Sequence, residues 1–139
     1  MENQSPVIPE EKIGSYKVET VILIASSFSR QASIDFKDYS ITNEITILPE
    51  AHENTEDNKF AVTLTLDYTG RQNDLIICTA KIKMLGVFEK IGDPPLGEDI
   101  FKKINAPAII YPFIREHLHN ISLKGGIANV LLPTVNFKP

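Results

Sequence analysis

The histidines are the first candidates for chemistry in this sequence, because they could bind a metal ion or transfer protons. His117 and His119 are two positions apart on a predicted helix, so their side chains point about 200° apart and cannot share one metal. His52 lies in an acidic loop beside Glu50 and Glu53. A weak metal site is one interpretation of that loop, and a solvated loop is the favoured one.

Cysteine chemistry is the next candidate. The only cysteine, Cys78, lies in a predicted strand with Ile76 and Ala80 on its face, which favours a thiol in the core over a nucleophile. The sequence contains no glycine-rich phosphate loop, nucleophile elbow or Cys-x-x-Cys motif. We therefore expect neither an enzyme nor a bound cofactor or metal.

The overall composition is that of an ordinary globular protein. The chain has 139 residues, of which 42% are hydrophobic and 23% charged, enough for one packed core without disulfides. Its net charge of −4 and scattered basic residues argue against nucleic acid as a partner. The sequence has no apolar run long enough to span a bilayer and no signal peptide pattern, and a single cysteine fits a reducing compartment. We predict a cytoplasmic protein with no membrane insertion.

Four segments carry strand patterns. Residues 1–14 read as a flexible N-terminal arm, and residues 15–139 as a single domain. The strands are predicted at Tyr16–Phe28, Ile41–Leu48 (ended by Pro49), Phe60–Tyr68 and Leu75–Ile91. The third alternates apolar and polar residues, which is typical of a half-buried antiparallel strand. The fourth is long, so we expect a bend or bulge near Gly86.

After Gly97 the apolar residues repeat with the spacing of a helix. A short helix is predicted from Glu98 to Ile104, and a main helix starts at Asn105-Ala-Pro107 and ends at Gly125-Gly126. Its apolar stripe is predicted to contain Ile110, Phe113, Ile114, His117, Leu118 and Ile121. Pro112 lies inside this helix, where it either makes a tolerated kink or re-aims Tyr111 and Phe113 toward a partner. The predicted fold class is α+β, a four-stranded antiparallel meander with one main and one short helix packed on one face.

The strands contain more apolar residues than one such layer can cover. Val21, Ile22, Leu23 and Ile24 follow one another and must point to both sides of the sheet, and Leu75, Ile76 and Ile77 do the same. These apolar side chains can be buried only by another subunit or by a bound apolar partner. The pattern favours an oligomeric binding protein.

Three motifs in the second half of the chain resemble the SecB family of export chaperones. Ile82-Lys-Met-Leu-Gly-Val-Phe88 resembles the family's fourth strand, and Asn105-Ala-Pro-Ala-Ile-Ile-Tyr-Pro-Phe-Ile-Arg-Glu116 resembles the start of its main helix. Leu132-Pro-Thr-Val-Asn-Phe137 resembles the strand-like segment that follows. The match is strongest from Lys81 to the end of the chain.

The resemblance implies a fold, an assembly and a function. The family fold is a four-stranded antiparallel sheet with helices on one face, assembled as a dimer of dimers. The family binds unfolded, pre-secretory polypeptides in apolar grooves and delivers them to the ATPase SecA. By resemblance, Phe88, Phe101, Tyr111 and Phe113 are the candidate client-binding residues, and each has core packing as the alternative.

Two departures from the family pattern concern SecA. The sequence has only Lys138-Pro139 after Phe137, where the family continues into a further helix and a tail that contacts SecA. The family's first strand carries exposed acids for SecA docking, whereas Glu19 is the one acid near this strand. We therefore expect an ATP-independent holdase of the SecB-like type, a homodimer or homotetramer, without SecA docking. The alternatives are a scaffold with one dedicated partner such as an antitoxin, an uncharacterised family sharing the fold, and, more weakly, a small-molecule binder.

Overall fold

The structure is a four-stranded sheet followed by a helical region. The computed structural model describes residues 13–31, 41–53, 56–127 and 130–138. Its elements are β1 (Ser15–Arg30), β2 (Thr42–Ala51), β3 (Lys59–Gln72), β4 (Leu75–Ile91), α1 (Glu98–Ile100), a π-helical turn (Phe101–Asn105) and α2 (Ala106–Lys124). The predicted N-terminal arm lies outside the described residues, except for Ile13 and Gly14.

The sheet is antiparallel, as predicted, but its strand order is β1-β4-β3-β2. The meander prediction is therefore wrong for β1, which pairs with β4 from Ser15 opposite Ile91 to Arg30 opposite Cys78. The two longest strands, of 16 and 17 residues, bond along almost their whole length in this order. A full meander would instead have placed β1 beside β2, which has only 10 residues.

The β3–β4 hairpin is closed by two residues in the left-handed region. Asn73 has φ of 52° and Asp74 has φ of 66°. Two consecutive positive φ values are typical of a type I′ turn, whose twist matches that of the strands. Asn and Asp adopt this conformation at lower cost than most other residues.

Pro49 does not end β2, as the sequence analysis had predicted, but lies within it. The N–H of His52 donates to the carbonyl oxygen of Ala61 at 2.9 Å, so even-numbered residues of β2 bond to β3. The missing donor of Pro49 therefore falls on the outward side of an edge strand, where no neighbouring strand needs it.

The expected irregularity near Gly86 lies in the neighbouring strand. β1 contains register shifts between Val18 and Thr20 and between Leu23 and Ala25, on either side of the pair Val21–Gly86. Gly86 itself allows close packing, because a Cβ there would lie 2.8 Å from the Phe88 ring and 3.0 Å from Cδ1 of Ile110. The glycine thus sets how closely α2 approaches β4.

The two predicted helices form one continuous helical segment. Asn105 has helical dihedral angles and makes no side-chain cap, so it does not start a new helix. Pro107 would clash with the carbonyl of the residue four positions earlier in a regular α-helix, and a wider π turn precedes it. Pro112 lies inside α2 as predicted, and the segment ends at Gly125 and Gly126, with Gly126 at φ of 78°.

The core lies between one face of the sheet and the helical segment. Its sheet side includes Val62, Leu64, Leu66, Ile82 and Phe88, and its helix side Ile110, Ile114 and Leu118. Residues 130–138, which we call the C-terminal strap, add the buried side chains of Val130 and Leu132. Within the described ranges, no helix is long and apolar enough to cross a membrane.

The close approach at Gly86 gives a direct stability test. We expect Gly86→Ala to lower the free energy of unfolding by about 1–3 kcal/mol, because the added methyl overpacks the contact between β4 and α2. Gly97→Ala is the matched control, since a Cβ there meets nothing within 4 Å. Urea unfolding of both variants checks the difference, and equal midpoints would contradict it.

Candidate functional site

The structure separates the four predicted client-binding residues. Phe88, Phe101 and Tyr111 have 0%, 5% and 4% of their surface exposed, whereas Phe113 has 48%. Phe88, Phe101 and Tyr111 are thus core residues of the isolated chain, and a polypeptide could reach them only if covering elements moved. Phe113 is the one of the four that a partner can touch directly.

Phe88 and Phe101 belong to an aromatic cluster with Tyr16 and Phe60. The Tyr16 and Phe101 rings stack at 4.0 Å, and Phe60 and Phe88 stack at 5.6 Å. The ammonium of Lys102 lies 4.9 Å from the centre of the Phe60 ring and 3.0 Å from the Glu98 carboxylate. The cluster joins β1, β3 and β4 to the start of the helical segment, which is a structural role.

Tyr111 holds the C-terminal strap. Its hydroxyl donates to the carbonyl oxygen of Pro133 at 2.6 Å, and its ring contacts Phe137 edge-on with centroids 6.1 Å apart. Burial raises the pKa of Tyr111, an effect that the nearby Arg115 partly offsets. The hydroxyl therefore stays protonated at neutral pH and acts as a fixed donor.

The buried stripe of α2 differs from the predicted one. It consists of Ala106, Pro107, Ile110, Tyr111, Ile114, Leu118 and Ser122. Because the strap packs on one flank of α2, Tyr111 is covered, while Pro112 and Phe113 face solvent. The strap pattern Val130-x-Leu132-x-x-Val135-x-Phe137 was the available sequence signal for this second cover.

β1 presents apolar side chains on both faces of the sheet. Leu23 pairs with Met84 on the helix-covered face, and Ile22 pairs with Leu85 on the opposite face. Val18, Ile22, Leu23 and Ile24, which we call the β1 apolar edge, are 39–51% exposed. The two-sided exposure that the sequence predicted for this strand is confirmed.

The backbone of β1 is also open on its outer side. The N–H of Gln31 donates to the carbonyl oxygen of Ile77 at 2.7 Å, which fixes the alternation of inward and outward groups from Ala25 to Arg30. Two register shifts alter that alternation nearer the start of the strand. The strand from Ser15 to Arg30 contains no proline to interrupt the outward row. Such an edge is a template for pairing with another chain.

The uncovered face of the sheet is rich in ion pairs. Lys59 lies 3.2 Å from Glu19, Arg71 lies 2.7 Å from Glu44, and Lys81 lies 4.0 Å from Asp67. The pKa of Glu19 is held below its usual value, chiefly by a side-chain hydrogen bond with Glu89. A hydrogen bond with Lys59 and the positive charge of Lys59 lower it further. A concavity of about 510 Å³ at one end has Ile24, Leu85 and Val87 among its lining residues.

The remaining candidates for chemistry have structural surroundings. Cys78 is fully buried, as predicted, and burial raises the pKa of its thiol. The neighbouring Tyr68 hydroxyl donates to Oδ1 of Asn43 at 2.5 Å. His52 Nε2 lies 3.0 Å from the Thr63 hydroxyl. In the part of the chain that the structure describes, no group of three or more His, Cys, Asp or Glu side chains could hold a metal ion.

Comparison with known proteins gives consistent matches. The family model described as preprotein translocase subunit SecB matches residues 27–139. A protein-export protein SecB of Halorhodospira halophila is 32% identical over 87 residues, covering 63% of this chain and 50% of the relative. That of Ehrlichia chaffeensis is 25% identical over 129 residues, covering 85% and 74%. The chain spans about half the length of the first two curated relatives that it matches.

A solved structure shares the fold. The Mycobacterium tuberculosis Rv1957 SecB-like chaperone, solved with a ChAD peptide from the Rv1956 HigA1 antitoxin, superposes with a TM-score of 0.73. The match covers 89% of this chain and 92% of that one at 14% identity. The four-stranded sheet and its helix are therefore an arrangement already observed in a solved protein.

Burial predicts opposite consequences for two of the sequence-predicted aromatic residues. Phe101→Ala should lower the free energy of unfolding by about 3–5 kcal/mol, since it opens a cavity in the aromatic cluster. Phe113→Ala should change it by less than about 1 kcal/mol, because Phe113 is half exposed. Urea unfolding of the two variants checks this, and a loss of similar size for both would contradict the placement of Phe113 at the surface.

Proposed function

The chain belongs to the SecB family, and on that basis we propose that it is an ATP-independent chaperone that holds non-native polypeptides through exposed apolar surface. The family match covers residues 27–139, which include β2, β3, β4 and the helical segment. The activity is that of a holdase, which binds and shields its client without chemical turnover.

The observation that carries this proposal is the two-sided exposure of the β1 apolar edge, together with Phe113 on the outer side of α2. Burying apolar surface contributes roughly 25 cal/mol per Å², so several such contacts offset the cost of ordering an unfolded segment. Apolar burial is non-directional and needs no defined client sequence. Surfaces of this kind therefore suit a protein that binds many unfolded chains.

One observation favours a more selective version of the same function. The structural neighbour with a TM-score of 0.73 is a SecB-like chaperone that binds a peptide of an antitoxin. A dedicated partner such as an antitoxin is accordingly our second candidate. SecA docking has less support, because Glu19 of the first strand is engaged by Lys59. We place the protein in the cytoplasm and treat residues 15–139 as one domain.

Phe113 is the client contact that we retain from the sequence analysis, and aggregation assays test it. We expect the protein at stoichiometric excess to suppress light scattering by thermally denatured citrate synthase. Phe113→Ser should weaken suppression several-fold, because it removes apolar contact worth roughly 1–2 kcal/mol. Lys124→Ser, an exposed change at the end of the same helix, is the control.

The contrary outcomes separate the candidates. Suppression that is unaffected by Phe113→Ser would remove Phe113 from the client surface. No suppression at any excess would contradict the general holdase, and capture of one stoichiometric partner would then favour the dedicated chaperone.

We also propose that the β1 apolar edge is where a second copy of the chain pairs, giving a homodimer or, through two such dimers, a homotetramer. The edge has no proline in its outward row, and it presents apolar side chains on both faces. β2, at the other end of the sheet, carries Pro49 in its outward row. The two edges therefore differ in their capacity to pair.

Changing both Ile22 and Ile24 to Asp should weaken this assembly about a hundredfold or more, because charges would be placed in an apolar interface. Leu48→Asp is the matched control: Leu48 is 54% exposed, but it lies on β2. Sedimentation over a range of concentrations checks the masses. A monomeric wild type, or equal dissociation of the Ile22/Ile24 variant and the wild type, would contradict the proposal.

A further inference from the structure

The C-terminal strap runs antiparallel to α2, from His119 near the end of the helix back to Tyr111. Its first residue, Val130, has its carbonyl oxygen 3.2 Å from Nδ1 of His119, near the end of the helix. Pro133 and Phe137 then contact Tyr111, near the start of the helix. The path ends at Lys138, which lines a cavity of about 300 Å³ with Pro49 and Ala51 of β2 and with Lys102 and Lys103. The strap thus lies on the flank of α2 that faces β2.

The strap is held by side chains. Among the described residues, no backbone–backbone hydrogen bond involves residues 130–138. Val130 and Leu132 are 1% and 2% exposed, so the first part is firmly packed. Beyond Pro133 the apolar side chains, Val135 and Phe137, are only partly buried. The structure therefore has a firm section up to Leu132 and a weaker section that runs from the exposed Pro133 to Lys138.

This mode of attachment is the one expected for an unfolded client. A holdase that accepts many sequences must bind extended chain through apolar side chains, since sequence-specific polar contacts would restrict its clients. The strap has that form: its apolar residues lie at nearly alternate positions, and the carbonyl oxygens of Val130 and Pro133 contact side chains, those of His119 and Tyr111. It differs from a client only in being covalently attached.

We propose that the weaker section of the strap, residues 133–138, occupies in cis a place that an extended apolar client segment takes in trans, so that client binding displaces it. The inference rests on the proposed holdase function. The client class is an extended polypeptide segment with apolar residues at alternate positions. The hydrogen bond from Tyr111 to Pro133 acts as the latch at the junction of the two sections.

The latch makes the proposal measurable. When only a small fraction of molecules has the strap displaced, the apparent dissociation constant equals the intrinsic one divided by that fraction. Without the Tyr111 hydroxyl, the form with the strap in place loses one hydrogen bond. The fraction of molecules with the strap displaced then rises about fivefold. Tyr111→Phe should therefore bind clients more tightly, the opposite of what loss of a binding contact would do.

The test uses a fluorescein-labelled peptide that copies residues 133–138, Pro-Thr-Val-Asn-Phe-Lys, added to the full chain. Fluorescence anisotropy should show binding, with an affinity about fivefold higher for Tyr111→Phe than for the wild type. Tyr68→Phe is the matched control, because it removes a tyrosine hydrogen bond to Asn43 on the sheet and should leave the affinity unchanged. A peptide with Ser in place of Val135 and Phe137 should not bind.

Phe137→Ser in the protein provides a second variant should Tyr111→Phe fail to fold. It weakens the strap at its partly buried end and should also raise the affinity for the peptide. Unchanged or lower affinity for the peptide in the folded variants overturns the inference. Failure of the wild-type protein to bind the peptide also overturns it. If aggregation suppression persists in that case, the strap proposal fails while the holdase function stands.

Discussion

The close approach of α2 to β4 at Gly86 is the constraint on which the other features depend. Ile110 packs where a side chain at position 86 would otherwise lie. With Ile110 turned to the sheet, its neighbour Tyr111 must lie on one flank of the helix, where it meets Pro133 and Phe137. Phe113 is then directed to solvent. One missing methyl group thus determines which aromatic residues of the helix are structural and which is accessible.

The two edges of the sheet show how a strand can be left available or protected. β2 has a proline in its outward row and ends in an acidic loop, and both features discourage pairing with another chain. β1 has neither, and the alternation of side chains along the strand places Ile22 and Leu23 on opposite faces. A chain that exposes such a strand needs either a partner or a way to avoid aggregation, and pairing two copies satisfies the first requirement.

Much of the fold could be predicted from local sequence, and the failures have physical causes. The alternation in β3 and the length of β4 were readable because side chains in a strand repeat every two residues. The position of β1 beside β4 was not readable, since nothing in β1 specifies a partner so far along the chain. For the same reason, the family resemblance identified Phe88, Phe101, Tyr111 and Phe113 as candidate client contacts, but the local sequence could not tell which of them would be covered. The cover of Tyr111 comes from the strap, more than 20 residues later, as shown by its bond to Pro133.

The order of the strands also has a consequence for how the protein is made. β3 and β4 are joined by a two-residue turn whose positive φ values favour an early hairpin, but Ser15 pairs only with Ile91. On the ribosome, β1 emerges long before β4 and must wait, with Val21 to Ile24 unpaired, until β4 has been synthesised. During its own synthesis the chain therefore passes through the condition of the nascent polypeptides that we propose it protects.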